Sequence, residues 1–501
     1  MSDRVDVLVV GAGLSGIDAG YRLQTECPGR SYLILEGRDV SGGTWDLFRY
    51  PGVRSDSDMF TLGFPFHPWR QAKAIASGET ILRYVRETAD RFGIAEKIRF
   101  GRRVVTAHWS TEDATWTVHT AGGEEYACSF LYLCTGYYRY SGGYDVDFPG
   151  RDEFAGPVVH PQQWPAGLDY AGKRVVVIGS GATAVTLVPA MAETAAHVTM
   201  LQRSPTYMIN LPGGERGGRT LSRTTSHLLR SRNAVATALL YQASRRWPER
   251  VSGFLRKQVA EQLPAEAHVD PDFTPAYAPW DQRLCVVPDG DLFAAMRAGK
   301  ASVVTGRIDR FTSTGVRLDD GAELAADIIV TATGLSMVTL GEIAVDIDGR
   351  PVKTGTLNVY KGMMFSGVPN LAWCVGYINA SWTLRADLTS RYVCRLLNYM
   401  ARHDIDITTP TPPPDMPEVD QPLMNLTSGY VQRAAAILPR QGSRRPWRMR
   451  TNYLTDLPAM LLGRIDDGHV RFARVAAHAT ARVAGRATAH AAAPRRRRAG
   501  L

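Results

Sequence analysis

The chain begins with an apolar run, a glycine-rich turn, a helical pattern and a second apolar run. The first run, Val5–Val10, is apolar apart from Asp6 and continuously so from Val7, as in a strand buried on both faces. After the turn, apolar residues recur at helical spacing through Leu23, and the second run, Tyr32–Leu35, ends at Glu36. The pattern predicts a strand, a turn, a helix and a parallel strand.

The same unit recurs in the middle of the chain. Arg174–Ile178 is predicted as a strand, Val185–Thr194 as a helix and His197–Leu201 as the next strand, with a glycine-rich turn between the first two. Two further apolar runs, Phe130–Cys134 and Asp327–Val330, also end in turns that contain glycine. These repeats predict an α/β fold with two Rossmann-like dinucleotide-binding domains.

Three segments depart from this pattern. Residues 215–270 carry leucines and arginines at helical spacing and are predicted to form a helical insertion. Residues 408–422 are rich in proline and are predicted to be a connector. From Ala476 onward the chain is mainly Ala, Arg, Thr and His, and we expect this tail to be disordered.

Composition and charge exclude several classes of protein. The 501 residues are 45% hydrophobic and 21% charged, which is typical of a globular protein, and no apolar run is long enough to cross a membrane. The formal charge is +9, but Glu215–Lys257 holds ten basic and two acidic residues, and the run Arg495–Arg498 adds four more. The remainder is slightly acidic, which argues against a nucleic-acid partner. We expect a cytoplasmic protein, with weak peripheral attachment of the basic segment to the inner face of the cell membrane as a second option.

The two glycine-rich turns predict two nucleotide sites. Glycines permit a tight turn and a close approach of the backbone to a pyrophosphate at a helix N-terminus. The candidate residues are Gly11, Gly13, Ser15 and Gly16 in the first turn, and Gly179, Ser180, Gly181, Ala182, Thr183 and Ala184 in the second. Glu36 suits a ribose diol, as in FAD or NAD, whereas Arg203 and Ser204 suit the 2′-phosphate of NADPH. The pair predicts hydride transfer from NADPH to a flavin.

The cysteines bear on what the reduced flavin does next. Six are present, with no C-x-x-C pair and no spacing typical of a metal site, so we expect buried thiols and no metal. A disulfide reductase of this architecture needs a redox-active cysteine pair beside the flavin. Oxygen is the remaining common acceptor.

The segment between the two turns resembles a family fingerprint. Phe154, Gly156, His160 and Trp164, followed by Pro165, match the pattern F-x-G-x-x-x-H-x-x-x-W-P of type I Baeyer–Villiger monooxygenases. Three longer segments, Trp45–Phe64, Trp280–Phe293 and Gly376–Asp387, are similar to the ethionamide-activating subgroup. Relatives that oxygenate nitrogen or sulfur resemble the fingerprint but usually lack its Trp-Pro ending.

The resemblance implies roles for individual residues. Arg283 falls at the position of the family's active-site arginine, and Asp56 at that of the carboxylate that holds it. Gln282 stands where the family often has a lysine that contacts the NADPH phosphate, which leaves more of the preference to Arg203. Further cofactor contacts implied by the resemblance are Gly43, Thr44, Trp45, Asp46, Leu47, Arg54, Ser55 and Val104. His160 and Trp164 are expected to couple nucleotide binding to domain closure.

The resemblance also implies a reaction and a division of the chain. A C4a-peroxyflavin would insert one oxygen atom next to a ketone carbonyl to give an ester or lactone, and sulfides or thioamides are further possible substrates. The alternative is a flavin-containing monooxygenase that acts mainly on sulfur or nitrogen. Met59, Phe60, Tyr377 and Trp382 are candidates for shaping the pocket. We expect the FAD-binding domain in residues 1–140 and 336–470, the linker and NADPH-binding domain in 141–212 and 276–335, the helical insertion in 213–275, and the basic tail in 471–501.

Overall fold

The structure is a computed structural model that describes residues 3–213, 220–417, 419 and 421–475. Its helices are α1 Leu14–Glu26, α2 Thr44–Leu47, α3 Met59–Leu62, α4 Gly78–Arg91, α5 Ala182–Ala192, α6 Arg223–Arg246, α7 Pro248–Ala260, α8 Asp291–Arg297, α9 Trp382–Arg402, α10 Gly429–Arg433 and α11 Tyr453–Leu461. Its strands are β1 Asp3–Val10, β2 Tyr32–Leu35, β3 Ile98–Arg99, β4 Val104–Ser110, β5 Thr115–Thr120, β6 Glu125–Leu133, β7 Val158–Val159, β8 Arg174–Ile178, β9 His197–Gln202, β10 Met208–Leu211, β11 Cys285–Pro288, β12 Ala301–Thr305, β13 Ile308–Thr312, β14 Gly315–Leu318, β15 Glu323–Ala325, β16 Ile328–Thr331, β17 Ala344–Ile347, β18 Arg350–Pro351, β19 Val359–Tyr360, β20 Met364–Phe365, β21 Leu371–Trp373, β22 Ile407–Pro410 and β23 Val470–Ala473.

Two sheets organise these elements, and they confirm the predicted fold class. The larger sheet has the order β18-β17-β4-β5-β6-β1-β2-β3, with β21 also paired to β6, and its strands come from both ends of the chain. The second sheet has the order β12-β9-β8-β16-β7 and is parallel throughout. Strand β1 lies between β2 and β6 in parallel register, which explains why its second half is continuously apolar and buried.

The predicted local elements recur with small shifts. Strands β2 and β8 have the predicted bounds, and α5 begins at Ala182 rather than Val185 because Gly181 is the last residue with extended backbone before the helix. The predicted insertion contains the long helices α6 and α7. All six cysteines are buried and unpaired, as expected. No helix among the described residues is both long and apolar enough to span a membrane.

The C-terminal region differs from the prediction. Residues 408–410 were predicted to lie in a connector, but they form most of β22, which pairs antiparallel with β23. Thr408 and Thr409 are β-branched, and Pro410 ends the strand, where its missing N–H costs little. Residues 471–473, which the predicted division assigns to the tail, lie in β23. The tail from Ala476 lies outside the described residues.

Helix α9 is anchored by a buried ion pair. The Arg385 guanidinium donates to the Asp456 carboxylate on α11 and to the backbone carbonyl oxygen of Lys361, and both charged side chains are almost fully buried. The Tyr377 hydroxyl donates to the same carboxylate at 2.6 Å. The network therefore joins α9, α11 and the segment that leads into α9.

We predict that Asp456→Asn strongly destabilises the protein, because the buried Arg385 loses its counter-charge. Breaking a buried pair by removing one partner costs about 3–5 kcal/mol. The measurement is the free energy of unfolding in urea, with Asp415→Asn, which breaks the exposed pair with Arg444, as the control. A loss as small as that of the control would mean that the pair does not anchor α9.

Candidate active site between two nucleotide turns

The first glycine turn leaves the N-terminus of α1 open to an anion. Gly11 has a positive φ of 105°, and a Cβ placed there would lie 2.6 Å from the carbonyl oxygen of Cys134. Gly13 precedes the helix, and no side chain caps it. The first N–H groups of the helix therefore have no capping side chain and face the turn, which fits a pyrophosphate.

Glu36 is fixed at the end of β2. Its carboxylate accepts from the backbone N–H of Ala12 at 2.8 Å and of Arg38 at 3.0 Å. Burial raises the pKa of this carboxyl, against the lowering effect of those hydrogen bonds. Val104 begins β4 nearby, where the backbone N–H of Arg102 donates to the carbonyl oxygen of Glu36. The carboxylate is therefore held against the first glycine turn by backbone hydrogen bonds.

The segment that contains Thr44, Trp45 and Leu47 is docked on the first turn. The N–H of Gly42 donates to the carbonyl oxygen of Ala12 at 3.0 Å, and a Cβ at Gly43 would lie 3.0 Å from the Cα of Gly13. Helix α2 follows directly. Its Asp46 is buried and forms ion pairs with Arg38, Arg49 and Arg86. Asp46 therefore holds the segment in place through three side chains of the protein itself.

The second glycine turn is more open. Gly179 has a φ of 140°, and a Cβ there would lie 2.4 Å from the carbonyl oxygen of Ala332. Gly181 has no atom within 4 Å of a Cβ position. The Ser180 hydroxyl donates to the carbonyl oxygen of Ser204 at 2.9 Å, which brings the end of β9 against the turn. Arg203, which follows β9 directly, is exposed there, and its predicted role is to contact a 2′-phosphate.

Arg203→Ala is predicted to raise the KM for NADPH by about 10- to 150-fold, because a charge-assisted hydrogen bond of about 1.5–3 kcal/mol is lost. The KM for NADH should change little. Steady-state kinetics with both coenzymes measures the difference, and Arg350→Ala, which alters an exposed arginine of β18, is the control. Equal effects on both coenzymes would contradict the assignment.

Arg283 lies where the two halves of the protein meet. It precedes β11, its Nε donates to the carbonyl oxygen of Ile378 at 3.1 Å, and its Nη1 donates to Asp56 Oδ2 at 3.3 Å. Burial lowers the pKa of Arg283, whereas Asp56 and the nearby tyrosines raise it by more, so the net shift of the pKa is upward. The structure therefore brings together the predicted pair, and one third of the guanidinium side chain remains exposed.

Tyrosines that were not predicted as site residues surround this arginine. Tyr137, Tyr138 and Tyr430 interact electrostatically with Arg283. The hydroxyls of Tyr137 and Tyr138 are 2.8 Å apart, and Tyr137 stacks on Trp382 with 5.2 Å between ring centroids. The indole Nε1 of Trp382 in turn donates to Ser15 Oγ at 2.7 Å. A continuous chain of side chains thus leads from the first glycine turn to Arg283.

Four further predicted residues make contacts within the protein or are buried. Arg54 is ion-paired with Asp291 of α8, and Ser55 is buried and bonded to the backbone of Ala76. Met59 and Phe60 lie in the buried helix α3. The structure thus gives Arg54 and Ser55 partners within the protein.

The fingerprint residues lie in the first linker, between β6 and β8, which is hydrogen-bonded to a second linker between β16 and β17. His160 Nδ1 accepts from the backbone N–H of Gln162, and its Nε2 lies 3.2 Å from the carbonyl oxygen of Gly334 in the second linker. Gly156 lies so close to the start of β16 that a Cβ there would be 2.2 Å from the carbonyl oxygen of Asp327, the residue before that strand. Phe154 packs in the core beside the second sheet, and Trp164 lies against Tyr170.

His160 predicts a dependence of stability on pH. One ring nitrogen accepts and the other donates, so the folded state requires the neutral ring, and burial lowers the pKa below the ordinary value of about 6.5. The unfolded chain therefore takes up this proton first, and the stability that His160 contributes falls as the pH drops below about 6.5.

The test is urea unfolding of wild type and His160→Gln between about pH 7.5 and about pH 5.5. Wild type should lose more stability over this range than the variant. His268→Gln, which alters an exposed histidine, should follow wild type. The same pH dependence in all three proteins would refute this role for His160.

Comparison with known proteins places this site in a family. The flavin-binding monooxygenase-like family matches residues 59–403, and a NAD(P)-binding Rossmann-like domain matches residues 9–76. The chain is 51% identical over 484 residues to the FAD-containing monooxygenase EthA of Mycobacterium tuberculosis (strain ATCC 25618 / H37Rv), covering 95% of this chain and 99% of that protein. It is 46% identical over 482 residues to the probable FAD-binding monooxygenase AlmA of Acinetobacter baylyi, covering 94% and 97%.

Solved structures agree with this fold. Oxidized steroid monooxygenase bound to NADP matches with a TM-score of 0.75 at 22% identity, covering 94% of this chain and 100% of that chain. Cyclohexanone monooxygenase from Rhodococcus sp. Phi1 bound to NADP+ matches with a TM-score of 0.67 at 23% identity, covering 82% and 87%.

The protein is therefore a flavin monooxygenase. The chain belongs to the flavin-binding monooxygenase-like family. The predicted cofactors, FAD and NADPH, and the prediction of a monooxygenase are confirmed at this level.

Proposed function

We propose that the protein inserts one oxygen atom next to the carbonyl of a ketone, giving an ester or lactone, at the expense of NADPH and O2. The observation that carries this proposal is the placement of Arg283. Its guanidinium is held by Asp56 and by the carbonyl oxygen of Ile378, both on the FAD side, while its own segment leads into β11 on the NADPH side.

The two glycine turns would hold the cofactors. The N-terminus of α1 and Glu36 fit the pyrophosphate and ribose of FAD, and the N-terminus of α5 with Arg203 and Ser204 fits NADPH. When bound and reduced, FAD supplies the activation of O2. The residues of this chain supply binding, orientation and charge.

Arg283 supplies a fixed positive charge where oxygen anions develop during oxygen transfer. A preorganised donor of this kind contributes about 2.7–4 kcal/mol to the transition state. Because an arginine stays protonated, it stabilises an anion without giving up its proton. Asp56 orients the guanidinium through a charge-assisted hydrogen bond.

Tyr138 and Tyr430, which lie near Arg283, remain neutral at physiological pH. Burial is the main cause that raises the pKa of Tyr138 well above its usual value and that of Tyr430 to about 12. They therefore add polar hydroxyls to the site without adding negative charge that would compete with a developing oxygen anion. Met59, Phe60, Tyr377 and Trp382 are our candidates for shaping the pocket.

Oxygenation of sulfur is the second candidate. The similarity of residues 45–64, 280–293 and 376–387 to the ethionamide-activating subgroup supports it. A protonated oxygen donor is electrophilic and is attacked by the sulfur lone pair, whereas an anionic donor is nucleophilic and attacks the carbonyl carbon. Product analysis with a panel of linear, cyclic and aryl ketones, thioethers and thioamides distinguishes the two activities.

We predict that Arg283→Ala keeps FAD but loses oxygen transfer. The contacts expected for FAD lie at the first glycine turn and Glu36, away from this side chain. Oxygenation should slow by about 100- to 1000-fold, because the lost charge acts mainly in the transition state. The variant should consume NADPH slowly and release hydrogen peroxide in place of ester. Arg283→Lys should rescue poorly, because lysine lacks the planar fork that Asp56 holds.

The measurement is NADPH consumed, peroxide released and ester formed with one accepted ketone. Arg317→Ala removes an arginine that is also paired with an aspartate, Asp309, but in the exposed β13–β14 hairpin, and it should behave as wild type. If Arg283→Ala couples most of its NADPH to ester at a near-normal rate, Arg283 is not the catalytic arginine.

A further inference from the structure

Exposed large apolar side chains are concentrated on the helical insertion. Ten such side chains occur among the described residues, and five of them, Leu228, Val235, Leu239, Trp247 and Phe254, lie within Arg223–Ala260. Two more, Leu454 and Leu462, lie on and just after α11, which packs against α6. Clusters of exposed apolar side chains mark sites where a protein contacts a partner or a membrane, so this surface is a candidate for such a site. We call the five side chains on the insertion the apolar stripe.

On α6 the stripe follows helical spacing. Leu228, Arg232, Val235 and Leu239 are three or four residues apart and therefore share one face of the helix. Leu228 and Leu239 are 67% and 62% exposed. One arginine is thus interleaved with three aliphatic side chains on an outward face.

The second helix repeats this arrangement. Trp247 immediately precedes α7, and Arg250, Phe254 and Lys257 follow on the helix at intervals of three or four residues; all four are exposed. Trp247 and Phe254 are each about half exposed. Both helices therefore combine large apolar side chains with cations on one outward face.

The opposite face of α6 is firmly anchored. Arg230 is buried, and its Nη1 donates to the backbone carbonyl oxygens of Phe60, Thr61 and Gly63 at 3.1, 2.9 and 2.6 Å. Ala234 packs with Tyr377 and Leu384 beside the candidate substrate pocket. The apolar side chains of α6 are therefore exposed on a helix that is well packed, not on a loosely attached one.

The charges of the insertion favour an anionic partner. Between Arg223 and Ala260 the chain carries eight basic residues and a single acidic residue, Glu249. Among the described residues, Arg232, Arg246 and Arg250 form no ion pair, whereas Arg245 and Arg256 are paired with Asp281 and Asp270. The free arginines lie on or next to the apolar stripe.

We propose that the outward face of α6 and α7 docks on an anionic lipid bilayer. Amphipathic helices with arginines and lysines among Trp, Phe and Leu lie in the membrane interface, where the apolar side chains enter the headgroup region and the cations contact lipid phosphates. A nucleic acid would use the cations but leave the apolar stripe in water, and a second copy of this chain would bring like charges together. A bilayer satisfies both features at once.

Docking has a consequence that rests on the proposed function. The inner face of α6 borders Tyr377 and the α3 segment, so the same helix touches the bilayer outside and the candidate pocket inside. Lipophilic ketones that partition into a membrane are the substrate class that this arrangement favours.

The first experiment measures binding of the purified, FAD-loaded full chain to phosphatidylcholine vesicles with and without phosphatidylglycerol. Co-sedimentation should depend on the anionic lipid and fall at high salt, because exposed charges are screened. Since no substrate or turnover is needed, this result stands apart from the proposed function.

Variants separate the two contributions. Leu239→Ser with Phe254→Ser should weaken binding about tenfold or more, because apolar burial is lost. Arg232→Gln with Arg250→Gln should weaken binding about fivefold for each arginine and should reduce the salt dependence. The matched controls are Phe100→Ser with Ile437→Ser for exposed apolar side chains and Arg350→Gln for an exposed cation, and they should bind as wild type. Flavin content and circular dichroism check the folding of each variant.

Three results would overturn the proposal. One is wild-type binding that does not depend on anionic lipid. Another is unchanged binding by both double variants. The third is self-association of wild type, seen by light scattering without vesicle binding and abolished by Leu239→Ser with Phe254→Ser, which would assign the stripe to a second copy of the chain.

Discussion

The placement of one guanidinium between the two halves of the chain constrains the rest of this structure. Arg283 precedes a strand of the NADPH side, yet its hydrogen-bond acceptors, Asp56 and the carbonyl oxygen of Ile378, belong to the FAD side. The charge is therefore in position only when the two halves are docked. A site that depends on docking can tie oxygen transfer to the presence of both nucleotides, because either half alone lacks one member of the pair.

Buried polar contacts hold the FAD-side acceptors in place. The network of Arg385, Asp456 and Tyr377 fixes the segment that carries Ile378 and the start of α9. Trp382, the first residue of α9, then contacts both Ser15 and Tyr137. Such a network is costly to bury, but once every partner is present it permits very few alternative positions for the segment. The position of Ile378, and through it that of Arg283, thus depends on the buried ion pair of Arg385 and Asp456.

The sequence predicts well what is decided locally. Each nucleotide turn and its flanking strands lie within a short stretch of the chain, as do the residues that follow β2 and β9. Spacing along the sequence is therefore enough to predict the local structure and to suggest a type of nucleotide. The pairing of Arg283 with Asp56 spans 227 positions and was found only through the resemblance to a family. Tyr137, Tyr138 and Tyr430 converge on Arg283 from distant segments, and no periodicity marks such an encounter. For Asp46 the resemblance implied a cofactor contact. The structure adds that its carboxylate forms ion pairs with three arginines, which the sequence did not indicate.

The connection between the two halves explains why the fingerprint lies where it does. The strands of the second sheet lie in the chain between β6 and β17, so two linkers cross from one half to the other and must move together. The N–H of Arg139 donates to the carbonyl oxygen of Ser336, and that of Tyr144 to the carbonyl oxygen of Gly334. His160 adds a side-chain contact to the same carbonyl oxygen of Gly334. A rotation of one half therefore acts on a pair of linkers that are hydrogen-bonded to each other. His160 bonds to the backbone of Gln162 after β7 and to Gly334 in the second linker, so it is well placed to transmit nucleotide binding to Arg283.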